Sequence, residues 1–331
     1  MKKLGLVVIG LGVIFVSLFY LYQQFVSKVE DPRQVIKEYY WDDTSGIRMY
    51  PDHDTFLVES LGQYLLLMVY LDDQKAFDEA YTIIDDLYRE DDFIKWRLKD
   101  TSADAVVDTY RISEALFKAT EVFDDASYAS MGLSFLRTIK MHHQKQGIIS
   151  DFYDWAYQLP GDTMHLSYQN VPMLRTLDLD LTVTKQLFNQ AEEKPFFKEV
   201  YIISQSSLHV TNELTVNLID QLLTAISYVD LFQETPATFH EWLMNQLAEN
   251  NRLTGLYYRD TLEEAVDYEA SAVNSLALIY FNKTEEKTYE KLMYEKVIEQ
   301  LQNHEKNNYQ DVHAFDFLYL HLAIEIYQAN Q

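Results

Sequence analysis

An all-α fold closed as a ring of six helical hairpins, an (α/α)6 barrel, is what this sequence predicts, and three observations predict it. Glycine and proline are scarce, 9 and 6 in 331 residues, which argues against a protein of strands and turns. Helical apolar periodicity runs almost unbroken from Thr55 to Tyr327. A faint echo also recurs. Asp72-Asp73 before Phe77, Asp124-Asp125 before Tyr128, and Asn282 before Tyr289 each join a strongly apolar helix to an amphipathic one. The first two copies lie about fifty residues apart, the length of a helical hairpin. The roughly 300 residues after the N-terminal segment hold about six such units. That period is longer than the ~34 residues of tetratricopeptide arrays and favours a closed ring over an open solenoid.

Residues 1–28 stand apart. Lys2 and Lys3 precede the uncharged run 4–22, which is long enough to span a bilayer. No small-residue cleavage site follows, and without cysteine there is none to lipidate. The leading lysines favour a cytoplasmic N-terminus. A single-pass signal anchor is therefore expected, with residues 29–331 forming one domain outside the cell membrane of a Gram-positive-type bacterium. After a short acidic connector at 29–33, helices are expected over 55–70, 74–89, 103–120, 126–143, 168–177 and 181–190. Six more are expected over 194–206, 212–229, 236–249, 263–281, 285–302 and 312–327.

The formal charge of −25 repels nucleic acid and anionic headgroups, so neither is expected as a specific partner. Having no cysteine, the chain forms no disulfides and does no thiol chemistry. There is no phosphate loop or dinucleotide fingerprint. His142 and His143, adjacent on one helix, point apart and make no chelate. No metal or cofactor is expected.

Acids that interrupt apolar helices carry the functional signal. In 55–70 the run Leu65 to Val69 is wholly apolar, and a helix apolar all round belongs in a core. Yet Glu59 sits one turn inside its start. It is either a first-turn acid favoured by the helix dipole or a carboxylic acid at the mouth of a closed core, kept protonated near neutral pH. In 212–231, Asn217, Asp220, Gln221 and Thr224 fall at i, i+3, i+4 and i+7 as one polar stripe. That stripe faces either solvent or a polar cavity, and its amides and hydroxyl suit the cavity.

Asp104, Asp108 and Arg111 share another helix face. Asp108 with Arg111 reads as an ion pair, and Asp104 as a helix-start residue with a capping or a catalytic role. Glu269 opens a further helix that turns wholly apolar, beside Ala270, Ser271 and Ala272. Among the aromatics, Trp155 lies in the loop 151–157, where stacking on a sugar ring is plausible.

The stretch from Glu59-Ser-Leu-Gly-Gln-Tyr64 to Ala76-Phe77-Asp78 resembles, without a gap, the acid motif S-E-G-Q-x-Y-G-M-L-L-A-V and the later G-D-x-x-x-F-D of glycoside hydrolase family 8. Trp96-Arg97 with Asp100-Thr-Ser-Ala-Asp104 resembles that family's W-R and A-T-D-A-D segment. His165-Leu-Ser-Tyr168 is similar to its N-P-S-Y, and Tyr268-Glu-Ala-Ser-Ala272 to its Y-D-A-x-R. The family consists of inverting (α/α)6-barrel enzymes that cleave β-linked polysaccharides. The resemblance covers most of 50–280. It implies Glu59 as general acid and Asp104 beside the sugar being cleaved, where its charge would raise the Glu59 pKa. Tyr64, Trp96, Trp155, Tyr168 and Tyr268 are the other expected sugar contacts.

Each motif departs from the pattern. Glycines after the acid are lost, Ser102 replaces the first Asp of D-A-D, and Glu269 with Ala272 replaces the base Asp and its Arg. The base is then Asp220, on its polar stripe, or Glu269. These departures suggest a divergent branch acting on a bacterium's own exopolysaccharide, with synthase or export proteins as further partners. The alternative is a catalytically inactive, glycan-binding scaffold of such a complex.

Overall fold

The computed structural model describes residues 29–331, and the apolar run expected to span a membrane lies outside the described residues. No helix among the described residues is long and apolar enough to cross a membrane. Among the described residues, twelve helices alternate between an outer and an inner layer. They are α1 (Pro32–Val35, widening over Ile36–Tyr40), α2 (Val58–Tyr70), α3 (Gln74–Ile83, widening over Ile84–Tyr88), α4 (Val106–Val122), α5 (Ala126–His142) and α6 (Val171–Thr176). There follow α7 (Thr182–Ala191), α8 (Leu218–Phe232), α9 (Ala237–Asn250), α10 (Ser271–Lys283), α11 (Lys287–Lys306) and α12 (Ala314–Ala329).

The even-numbered helices touch in order, and α12 returns to α2, which closes the inner ring. Burial follows composition. In α2 every residue from Ser60 to Val69 is buried, whereas amphipathic α3 buries only Phe77 and Ala80.

The echo in the sequence is the chemistry of the turn from an inner to an outer helix. Asp72, Asp124, Asp178, Gln233 and Glu285 all take left-handed backbone there, at φ of 51–61°, a conformation that Asp adopts more readily than most residues. Asp73 and Asp125 then cap α3 and α5 by accepting the N–H groups of Ala76 and Ser127. The third copy turns at Glu285 rather than at Asn282.

Phe77 locks two hairpins together, edge-on to Phe123 at 5.5 Å and to Tyr128 at 5.2 Å. The Tyr128 hydroxyl donates to Asp78 Oδ1 at 2.5 Å. Asp73, Phe77 and Asp78 of the family-like segment are therefore structural. Phe77→Ala should cost about 3–5 kcal/mol, read as a lower urea midpoint at unchanged m-value.

The return connections, outer to inner, are longer and carry small antiparallel ribbons, so the molecule is not purely helical. The helix expected at 194–206 is absent. Val200–Ile202 instead pairs between Thr163–His165 and Ser207–His209. Its β-branched and aromatic run suits a strand once a partner edge lies beside it. The helix expected at 263–281 begins only at Ser271, and Leu256–Tyr258 before it pairs with Thr215–Asn217. Helix α1 begins inside the stretch 29–33, expected to be an acidic connector. Its signals were the Asp31 cap and Pro32 in the first turn. Helix α6 is short, and the 3-10 turn Leu166–Tyr168 ahead of it packs on α8.

Candidate active site

Inner helices run parallel, so their first turns meet at one end of the barrel. Four of those turns carry an acid: Glu59 on α2, Asp108 on α4, Asp220 on α8 and Asp316 on α12. Helix dipoles favour their ionised forms, and burial opposes them. Burial raises the Glu59 pKa, while the Arg111 guanidinium pulls it down. Asp108 is pushed up to about 7 by burial and by Glu59, against its 3.0 Å bond from Arg111. Burial likewise lifts Asp316 to about 6. The Ala272 N–H, bonded at 2.9 Å, opposes this, and Glu59 adds to it.

Asp220, on α8, is raised by burial and pulled down by the neighbouring Ser167 hydroxyl and His165. His165 is gripped twice by Asp151. Its backbone N–H meets one carboxylate oxygen and its Nδ1 the other, each at 2.7 Å. Tyr168 stands among these groups. Its hydroxyl is pushed up to about 12 by burial and by the charges of Asp220, Asp151, Asp108 and Glu59. The site therefore holds acids from several sides of the ring around one neutral phenol.

Several expected residues are engaged elsewhere. Asp104 is only 3% exposed. Its oxygens accept the Tyr153 N–H at 2.8 Å and the Trp155 indole N–H at 3.2 Å, and one meets His143 Nε2 at 2.9 Å. It fastens the loop 151–157, and Asp108 takes the place expected for it beside Glu59. Trp155 stacks on Phe93 at 4.2 Å and 13°, and packs against His142 and Tyr153.

Tyr64 lies five residues after Glu59, about 140° around the helix. It turns outward against Trp41 at 6.1 Å. Glu269 pairs with Lys296 of α11 at 3.0 Å and receives the Asn274 amide, which draws it toward the outer layer. Trp96 anchors the start of α2, its carbonyl accepting the Val58 N–H at 3.1 Å, and the Arg97 guanidinium covers its ring at 4.5 Å. Tyr268 is exposed just ahead of α10, leaning over Gly255.

The polar stripe of α8 divides by depth. Asn217 caps the helix, Asp220 faces Ser167 and His165, and buried Gln221 ties down Phe197 and Glu199. The Thr224 hydroxyl is buried without a partner.

Sequence reasoning missed Asp316 and gave Asp108 only a structural part. The signal was available. Asp108, Asp220 and Asp316 each stand two residues into an inner helix, behind two apolar residues.

No family model matches the chain. A putative lipoprotein, YdaJ of Bacillus subtilis, is 24% identical over 249 residues, covering 72% of this chain and 67% of that one. Among solved structures, PssZ from Listeria monocytogenes superposes with a TM-score of 0.83 at 29% identity, covering 88% of this chain and 93% of that one. A novel α-amylase from Clostridium perfringens gives 0.77 at 18% identity, covering 89% and 96%. Endoglucanase Cel10 of Klebsiella pneumoniae, a family 8 glycosyl hydrolase, gives 0.66 at 13% identity, covering 91% and 99%.

Proposed function

We propose that this chain, a divergent relative of glycoside hydrolase family 8, hydrolyses a bacterial extracellular polysaccharide with inversion, Glu59 serving as general acid and Asp220 as general base. One observation carries the reading. In the closed ring, α8 is three steps from α2 in either direction, so the first turns that carry Glu59 and Asp220 lie on opposite sides of the ring at the same end. An inverting pair needs that arrangement, since a sugar and a water must fit between carboxyls about 6.5–9.5 Å apart. Glu269, paired with Lys296, is the weaker candidate for the base.

In the reaction, protonated Glu59 gives its proton to the glycosidic oxygen as the bond to the anomeric carbon breaks. Ionised Asp220 takes a proton from the water that attacks the opposite face. Glu59 ends as a carboxylate near Arg111, whose charge stabilises it. The name of the Bacillus relative supports a membrane-held, extracytoplasmic placement. Incubating the full chain with a panel of α- and β-linked exopolysaccharides and following reducing ends tests the activity. Saturable binding without new ends would instead support a glycan-binding scaffold, the reading favoured by the loss of Glu269 to an ion pair.

The raised Glu59 pKa fixes the sign of a further prediction. Activity should fall on the alkaline side as Glu59 loses its proton. Asp108→Asn removes a negative neighbour and frees Arg111 to favour the Glu59 carboxylate. Both effects lower the Glu59 pKa, so the alkaline limb of kcat/KM against pH should move to lower pH. An unmoved limb would show that Asp108 does not act on the acid.

A further inference from the structure

A second concavity lies at the opposite end of the barrel, where the inner helices terminate. It is a well of about 510 Å³, reaching from Tyr70, Lys118, Lys283 and Asn330 near those helix ends to Arg111, Ser167, Tyr168 and Tyr319 at its roof. That volume is in the range of small-molecule sites. Its roof residues Arg111, Ser167 and Tyr168 also border the acid cluster, while Lys118, Lys283 and Asp230 lie at the far helix ends.

The charged groups lining it are Arg111, Lys118 and Lys283 against Glu114 and Asp230. This cationic balance is unusual in a chain of net charge −25. Most of these charges have partners: Lys283 binds Asp230 at 2.6 Å, Glu114 accepts the Asn170 amide at 2.8 Å, and Arg111 binds Asp108. Lys118 makes no ion pair among the described residues. Its ammonium lies over the Tyr70 ring, 5.4 Å from the centre. The Ser167 hydroxyl, in the roof, is buried beside the Asp220 carboxylate. Leu66, Leu223, Ile226 and Leu322 supply apolar wall between these polar groups.

We propose that this well is a second ligand site, taking a monosaccharide-sized anion whose charge meets Lys118 and whose hydroxyls meet Ser167 and the lining amides. The chemistry is that of an acidic sugar, either a uronate or a sugar phosphate. A free ammonium beside an aromatic ring suits such a ligand, and the acidic mouth at the other end repels it. Binding is read directly, so this proposal stands or falls apart from hydrolysis.

The test is calorimetric titration of the full-length protein at low salt with glucuronate, glucose 6-phosphate and glucose. At least one anion should bind saturably and glucose should not, and whichever anion binds identifies the acid. Lys118→Gln should weaken that binding at least about tenfold, the scale of one charged hydrogen bond. Lys75→Gln, a change at an exposed lysine outside the well, should leave it unchanged. Ile226→Phe narrows the well without altering its charge and should also weaken it. Silence from both anions, equal binding of glucose, or indifference to both Lys118→Gln and Ile226→Phe would overturn the proposal.

Discussion

Glu59→Gln should reduce turnover by roughly 10²–10⁴-fold, the usual contribution of a positioned general acid, while leaving substrate binding nearly intact. The amide keeps the shape of the side chain and removes only the transferable proton. Stability supplies the control. Burial raises the folded-state pKa of Glu59 above its ordinary value. Its contribution to stability is therefore fully present below the unfolded-state pKa and is lost as pH rises through the folded one. Gln carries no such dependence, so the variant should be at least as stable as the parent at neutral pH and should gain on it towards alkaline pH. Urea unfolding at several pH values reads this. A variant that is inactive because it has unfolded would fail that control, and one with undiminished turnover would remove Glu59 from the chemistry.

Asp220→Asn should cost about as much, roughly 10²–10⁴-fold, for a different reason. The amide cannot take the proton of the attacking water. A nucleophile that needs no base separates this role from a structural one. Azide should restore turnover to Asp220→Asn by forming the glycosyl azide, because Glu59 remains to protonate the departing oxygen. The same addition should do nothing for Glu59→Gln on an unactivated polysaccharide, where the leaving group still lacks its proton. If azide fails to rescue Asp220→Asn and Glu269→Gln is equally inactive but rescued, the base is Glu269.

The parts of this molecule legible in the sequence are those fixed by neighbours along the chain. The apolar stretch Leu65 to Val69 marks an inner helix, and Asp72 and Asp124 mark turns, because these depend on local periodicity and backbone preference. Glu59 stood out for the same reason. Tyr64 could have been placed by arithmetic alone, since five residues turn it away from the face Glu59 occupies.

Other features depend on partners remote in sequence. Asp104 is held by donors from Tyr153 and Trp155, some fifty residues on. Glu269 is claimed by Lys296, on the next outer helix. Val200–Ile202 became a strand because residues 163–165 lay alongside. A motif fixes which residue types are present, and tertiary neighbours decide which of them remain free to act.

The most direct measurement of the central claim is the anomeric configuration of the first product, followed by proton NMR before mutarotation on whichever glycan of the panel yields new reducing ends. Glu59 and Asp220, on opposite sides of the ring at the same end, should release a sugar whose anomeric centre is opposite to that of the linkage cleaved. A product that keeps the configuration of the linkage would contradict this assignment, because it requires a carboxylate close enough to attack the sugar itself.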